Sequence, residues 1–204
     1  MIPLPPAFDR FDRAGGCLHF ATFECAEDDI NTAASAIVSL ISRFDEIRLE
    51  GLLASGCREI SEAHFFGDWY DPSNGRLRKQ GSVHTAAGRD LRNPYLIDLE
   101  GQDIRGSSHA GPSTFGGGNF AYAFFSTPYG MTASPAEIQS IFDAVRRFIL
   151  PPRHRAVIRD WTSEALPDIS RYFEMGAEWW GVFLFTIYVP DLNQLTVIAG
   201  STTD

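Results

Sequence analysis

The sequence predicts an α+β fold: a mixed or largely antiparallel sheet of about six to eight strands with two main helices packed on it. Three observations lead there. Short segments rich in aromatic and β-branched residues recur at 18–24, 120–126, 156–161, 179–189 and 195–200. Two longer segments, 30–44 and 134–149, carry apolar residues at helical spacing. The composition, 44% apolar and 21% charged over 204 residues, is globular and fits a single domain over 1–204.

The start of the chain holds Pro3, Pro5 and Pro6. Proline fixes φ and lacks a donor, so residues 1–16 read as a flexible, extended arm. LHFATFE at 18–24 alternates and reads as a strand. Asp28 or Asp29 then caps a helix whose apolar face is Ile30, Ala33, Ala34, Ile37, Ile41 and Phe44. Ile47, Leu49 and Leu52 suggest a strand after it.

Residues 58–83 admit a short helix around Ile60, Ala63 and His64, but a hairpin is preferred. Asp71-Pro72-Ser73-Asn74-Gly75 is strong turn chemistry: proline presets φ early and glycine takes the left-handed position at the end. Tyr95 opens a further short strand at 95–99. Residues 101–119 hold six glycines and little apolar material, so they read as a long loop, either mobile or closing over a site.

FAYAFFS at 120–126 reads as a buried strand. Ser134, Pro135 and Glu137 form a capping signal, with the serine as cap and the proline at the first helical position. Ile138, Ile141, Phe142, Val145, Phe148 and Ile149 make the apolar stripe, and Pro151 and Pro152 stop the helix. A strand at 156–161, a short helix at 167–175 and two antiparallel strands at 179–189 and 195–200 complete the chain. LHFATFE, helix, EIRLEG parallels FAYAFFS, helix, AVIRDW, which suggests two βαβ-like halves.

The net charge is −9, and residues 1–70 carry twelve acids against five bases. That excess argues against nucleic acid or an anionic membrane as partner, since both attract basic surface. No apolar run approaches the roughly 20 residues that span a bilayer. The first residues lack the basic start and apolar stretch of a secretory signal. With an odd count of three cysteines, Cys17, Cys25 and Cys57, this points to a reducing cytoplasm. Lys79, the lone lysine, sits in GRLRKQG and reads as solvated.

No catalytic set converges in the sequence. The glycines at 116–118 lack the lysine and serine or threonine of a phosphate-binding loop and precede a predicted strand. Cys17 with His19, and His64 with Asp68, are pairs without a third ligand, so no metal or other cofactor is assigned. Cys25 lies before a helix but among Glu24, Glu27, Asp28 and Asp29, which oppose thiolate formation, so it reads as a packed thiol. Asp160, Glu164 and Glu178 lie near Trp161, Trp179 and Trp180, a pattern compatible with sugar chemistry only at a defined carboxylate separation.

The reading that needs fewest coincidences is a non-catalytic interaction protein, of inhibitor or immunity type, that meets a basic protein. Its surface would be Trp69, Tyr70 and Asp71 at the hairpin tip, with the acids Glu27, Asp28 and Asp29. One alternative is a small hydrolase under the 101–119 loop, using His109, Asp160 and Glu178. Another is a small-molecule binding domain with an aromatic pocket.

Overall fold

The computed structural model describes residues 1–25, 27–108, 111–178 and 180–202. Its first element corrects the expected arm. Pro6 occupies the first position of helix α1 (Pro6–Arg13), where a missing N–H breaks no helical bond. Ala7, Phe8 and Phe11 bury one side of it, and only the stretch before it stays extended, with Ile2 N donating to Thr22 O at 2.7 Å.

Strand β1 (His19–Glu24) and helix α2 (Ile30–Ile41) follow as the sequence predicts. Asp29 caps α2: its Oδ2 accepts from Thr32 N at 2.8 Å and from Thr32 Oγ1 at 2.9 Å. Those bonds hold the Asp29 carboxyl below its ordinary value. Ala33, Ala34, Ile37 and Ile41 are buried, but the outermost members of the predicted stripe, Ile30 and Phe44, are each 47% exposed.

The strand expected at Ile47–Leu52 is instead helix α3 (Leu49–Ser55), which buries Leu52 and ends at Gly56 with φ +71°. Strand β2 (Arg58–Ile60) leads to helix α4 (Glu62–Phe66), capped by Ser61 Oγ accepting from His64 N at 3.1 Å. The short helix and the hairpin both exist. Strands β3 (Tyr70–Asp71) and β4 (Arg76–Leu77) flank the predicted turn, with Gly75 at φ +65°. Strands β5 (Ser82–Thr85), β6 (Asp90–Arg92) and β7 (Ile104–Ser108) form a small sheet in the order β6-β5-β7. The strand expected at 95–99 is a 3-10 turn, Leu96–Leu99, and β7 takes up part of the expected long loop.

FAYAFFS is not a strand. It forms helix α5 (Phe120–Phe125), and all six residues are buried. Phe120 meets Phe65 at 4.7 Å and Phe124 meets Phe11 at 4.4 Å between ring centroids. An apolar run buried on every side carries no period, so the sequence pattern does not separate a core helix from a core strand. Helix α6 (Pro135–Ile149) matches expectation, with Ser134 Oγ accepting from Glu137 N at 3.3 Å. Strand β8 (Val157–Asp160), helix α7 (Leu166–Ile169), strand β9 (Val182–Val189) and strand β10 (Gln194–Ser201) complete the described chain.

The main sheet has the order β1-β10-β9-β8-β2, and each neighbouring pair is antiparallel. The α+β class therefore stands, with ten strands in three sheets among the described residues. The two βαβ-like halves do not exist, because EIRLEG runs from an irregular stretch into α3 and FAYAFFS is helical, so neither is a strand. Helices cover both faces. On β9, Phe183, Phe185, Ile187 and Val189 point to the core with α1, α4, α5 and α6. Val182, Leu184 and Tyr188 point to the core with α2, α3 and α7. The period-2 alternation of a strand thus divides one apolar run between two cores. No described helix is long and apolar enough to cross a membrane.

Candidate functional site

The structure disperses the predicted docking residues. Trp69 is not an exposed anchor: it is 3% exposed, and its ring lies 5.0 Å from Tyr122 and 5.5 Å from Phe125. Asp28 is gripped by both terminal nitrogens of Arg159, one contact being 2.8 Å. Asp29 is spent on the α2 cap. Of the three acids before α2, Glu27 alone keeps an exposed carboxylate without a hydrogen bond among the described residues.

Of the predicted hydrolytic set, Asp160 and Glu178 fall among the described residues, and no bond brings them together. Asp160 has a fully buried side chain, and both of its oxygens are occupied. Oδ2 accepts from Arg58 Nη2 and from Gly118 N, each at 3.1 Å, and Oδ1 accepts from Thr162 N at 2.9 Å. With no exposed surface and three donors already on it, this carboxylate is closed to a substrate proton. Glu178 is exposed, and no bond joins it to Asp160. His109 and Trp179 lie outside the described residues. The glycine segment before α5 is tied down rather than open, since Gly117 and Gly118 both take positive φ against Asp160 and His64.

The three thiols are free, and burial pushes Cys17 and Cys57 up, away from thiolate. Lys79 is not solvated as expected; burial pulls its amine below the ordinary range. No group of three potential metal ligands occurs among the described residues.

The residues that do converge lie on two elements, α4 and the β3–β4 hairpin. Between them opens a cleft of about 650 Å³, within the size range of small-molecule sites. Ala63, Phe66 and Tyr70 give it an apolar floor, and the Phe66 and Tyr70 rings meet at 4.6 Å, tilted by 43°. Gly67, at φ +68°, ends α4 and lets the chain turn into the hairpin. Side chains there are already placed, so a ligand meets a preformed wall.

That wall is organised around Asp71. Its Oδ2 accepts from Tyr95 Oη at 2.6 Å, Asn74 Nδ2 at 2.8 Å and Arg78 Nη2 at 2.9 Å, while Oδ1 accepts from Ser73 N at 2.9 Å. The Tyr95 hydroxyl, then Asn74, hold the Asp71 carboxyl at about 2. Arg78 also lies over the Tyr95 ring, 5.2 Å from its centroid. Asp71 and Arg78 therefore neutralise each other. Glu62 and Asp68 also line the cleft, and their carboxylates make no hydrogen bond or ion pair among the described residues. Burial pushes the Tyr70 phenol up, which keeps it neutral and able to donate.

Tyr70 and Asp71 were legible as candidates, though for a different role. Asp68 entered only as half of a pair with His64, and Arg78 and Glu62 were not candidates. The turn chemistry at 71–75 placed Asp71 at a hairpin, but Arg78 reaches it only through the hairpin register, and Tyr95 arrives from a separate segment.

No family model matches the chain, and no curated protein or solved structure resembles it. Class rests on fold and site alone: an α+β protein with helices on both faces of its main sheet and a ligand-sized cleft beside them.

Proposed function

We propose that the protein binds a small organic cation, an amine carrying an apolar body, in the cleft between α4 and the β3–β4 hairpin. The observation that carries this reading is the pair of unpartnered carboxylates, Glu62 and Asp68, beside an aromatic floor. Carboxylates attract the ammonium, and the floor of Ala63, Phe66 and Tyr70 receives the apolar body. Asp71 and Arg78 contribute shape, because their charges are already matched. The free thiols fit a reducing compartment, and we place the protein in a cytoplasm.

Isothermal titration with benzylamine, benzyl alcohol and benzoate tests this. Benzylamine is expected to bind, benzoate to fail, and Asp68→Asn to weaken benzylamine at least fivefold. Equal binding of the alcohol and the amine, or no binding of either, overturns the reading.

Docking to a basic protein is the second reading. It keeps one specific place, a groove of about 790 Å³ between the end of α2 and α7, lined by Asp45, Glu46, Asp168 and Glu174 against Arg48 and Arg171. Affinity for a basic partner there must fall steeply with salt; a salt-independent complex removes this reading.

A further inference from the structure

A further cavity, of about 360 Å³, lies where α6 ends, between the turn at 151–156 and the start of α4. Arg146, Arg153 and His154 line it together with Glu59, Ser61 and Glu62. Arg146 is a cation without a carboxylate partner among the described residues. Its guanidinium sits 5.9 Å from the Tyr70 ring centroid, and its Nε is shut off from solvent with no acceptor. A donor withdrawn from water in that way is costly unless something else satisfies the charge.

The opposite charge is present but does not reach it. Glu59 and Glu62 line the same cavity, yet no ion pair joins either of them to Arg146 or Arg153. His154 is held by Asp191, Nδ1 to Oδ2 at 3.1 Å, so its imidazole does not close the gap. Arg153 itself adopts φ +74°, a conformation that a non-glycine residue seldom takes, at the wall of this cavity. One open cavity thus presents separated charges of both signs, and Arg146 Nε is the one donor lining it that is shut off from water without an acceptor, among the described residues.

We propose that this cavity binds a small zwitterion, an α-amino acid, with its carboxylate on Arg146 and Arg153 and its ammonium on Glu62 and Glu59. A guanidinium takes a carboxylate through two parallel hydrogen bonds, which a halide or a lone ammonium cannot reproduce. The α-carboxylate and α-ammonium of an amino acid are held on one carbon, so a single molecule answers both walls. Anions alone would meet Glu59 and Glu62, and amines alone would meet the two arginines. This site is separate from the cleft beneath the hairpin, and only Glu62 lines both.

Titration calorimetry with a panel of the standard L-amino acids, with acetate and methylamine as single-charge controls, tests the proposal on the intact chain. At least one amino acid is expected to bind at least tenfold more tightly than acetate and methylamine. Arg146→Gln and Arg153→Gln are each expected to weaken it at least fivefold, while Arg153→Gln leaves benzylamine binding in the hairpin cleft unchanged. Arg153 is exposed, so its variant carries the test if Arg146→Gln does not fold. No heat with any amino acid at about 10 mM, which excludes even weak millimolar binding, overturns the proposal. So does acetate binding as tightly as the amino acid, or Arg153→Gln binding unchanged. Loss of benzylamine binding alone bears on the cleft and not on this cavity.

Discussion

Arg58 reaches the buried carboxylate of Asp160 through the glycine turn before α5, Nη2 to Oδ2 at 3.1 Å. The same nitrogen donates to Gly116 O at 3.0 Å, and Gly118 N donates to Asp160. The turn is thereby clamped between an arginine on β2 and a carboxylate on β8. Gly117 sits at φ +69°, and a Cβ there would collide with both Arg58 Nη2 and Asp160 Oδ2. Gly117→Ala is expected to destabilise the protein by roughly 2–4 kcal/mol, combining backbone strain with disruption of the bonds that Asp160's buried carboxylate accepts. Urea unfolding measures it; a cost below about 0.5 kcal/mol, the range of a neutral surface change, would show that the clamp does not constrain this turn.

Tyr95→Phe removes the largest cause of the low Asp71 pKa. A carboxyl whose folded value lies below its unfolded one adds stability above the unfolded value, and that stability is lost as pH falls through the folded value. For Asp71 the window runs from about 4 down to about 2. The variant is expected to raise the Asp71 midpoint and flatten the acid limb of the stability curve in that window. Carbonyl NMR titration of Asp71 in both proteins decides this; an unchanged midpoint contradicts the assigned cause.

His19 is expected to titrate below its ordinary value of 6.5, because burial disfavours its charged form and Arg43 adds repulsion. Its Nδ1 lies 2.7 Å from Tyr172 Oη, and Phe44 covers the ring at 4.1 Å. The folded state resists protonation, so stability falls as pH drops from 6.5 towards the depressed value. Phe44→Ala uncovers the imidazole and should move its midpoint back towards 6.5. Proton NMR of the ring follows both; a wild-type midpoint at or above 6.5 contradicts the burial argument.

Trp69→Ala is expected to cost roughly 3–5 kcal/mol of stability, the range for an aromatic side chain removed from a core. An exposed anchor would instead lose a partner and leave unfolding unchanged. Thermal unfolding of the variant separates the two.

What the sequence made legible follows the strength of its local signals. Asp29 and Ser134 announced α2 and α6 because a cap is a contact within one turn. Gly75 marked the reversal of the β3–β4 pair, at positive φ. Phe120–Phe125 misled, because burial on all sides erases the period that tells helix from strand. Pro6 misled in the opposite sense, since proline both breaks helices and begins them. The candidate site was half legible. Asp71 stood out by its turn, whereas its bonds to Tyr95 and Arg78 and the open carboxylate of Asp68 depend on how separate segments meet.

The position of β10 governs how this molecule can be built. It is hydrogen-bonded on both sides, to β1 through His19↔Ala199 and to β9 through Leu195↔Tyr188. During synthesis β1 emerges long before its neighbour exists, and must wait with its apolar side chains unshielded. Loop closure over so great a sequence separation is slow. β1 therefore joins the sheet only after β10 has left the ribosome, and nascent chains halted before it should depend on chaperones.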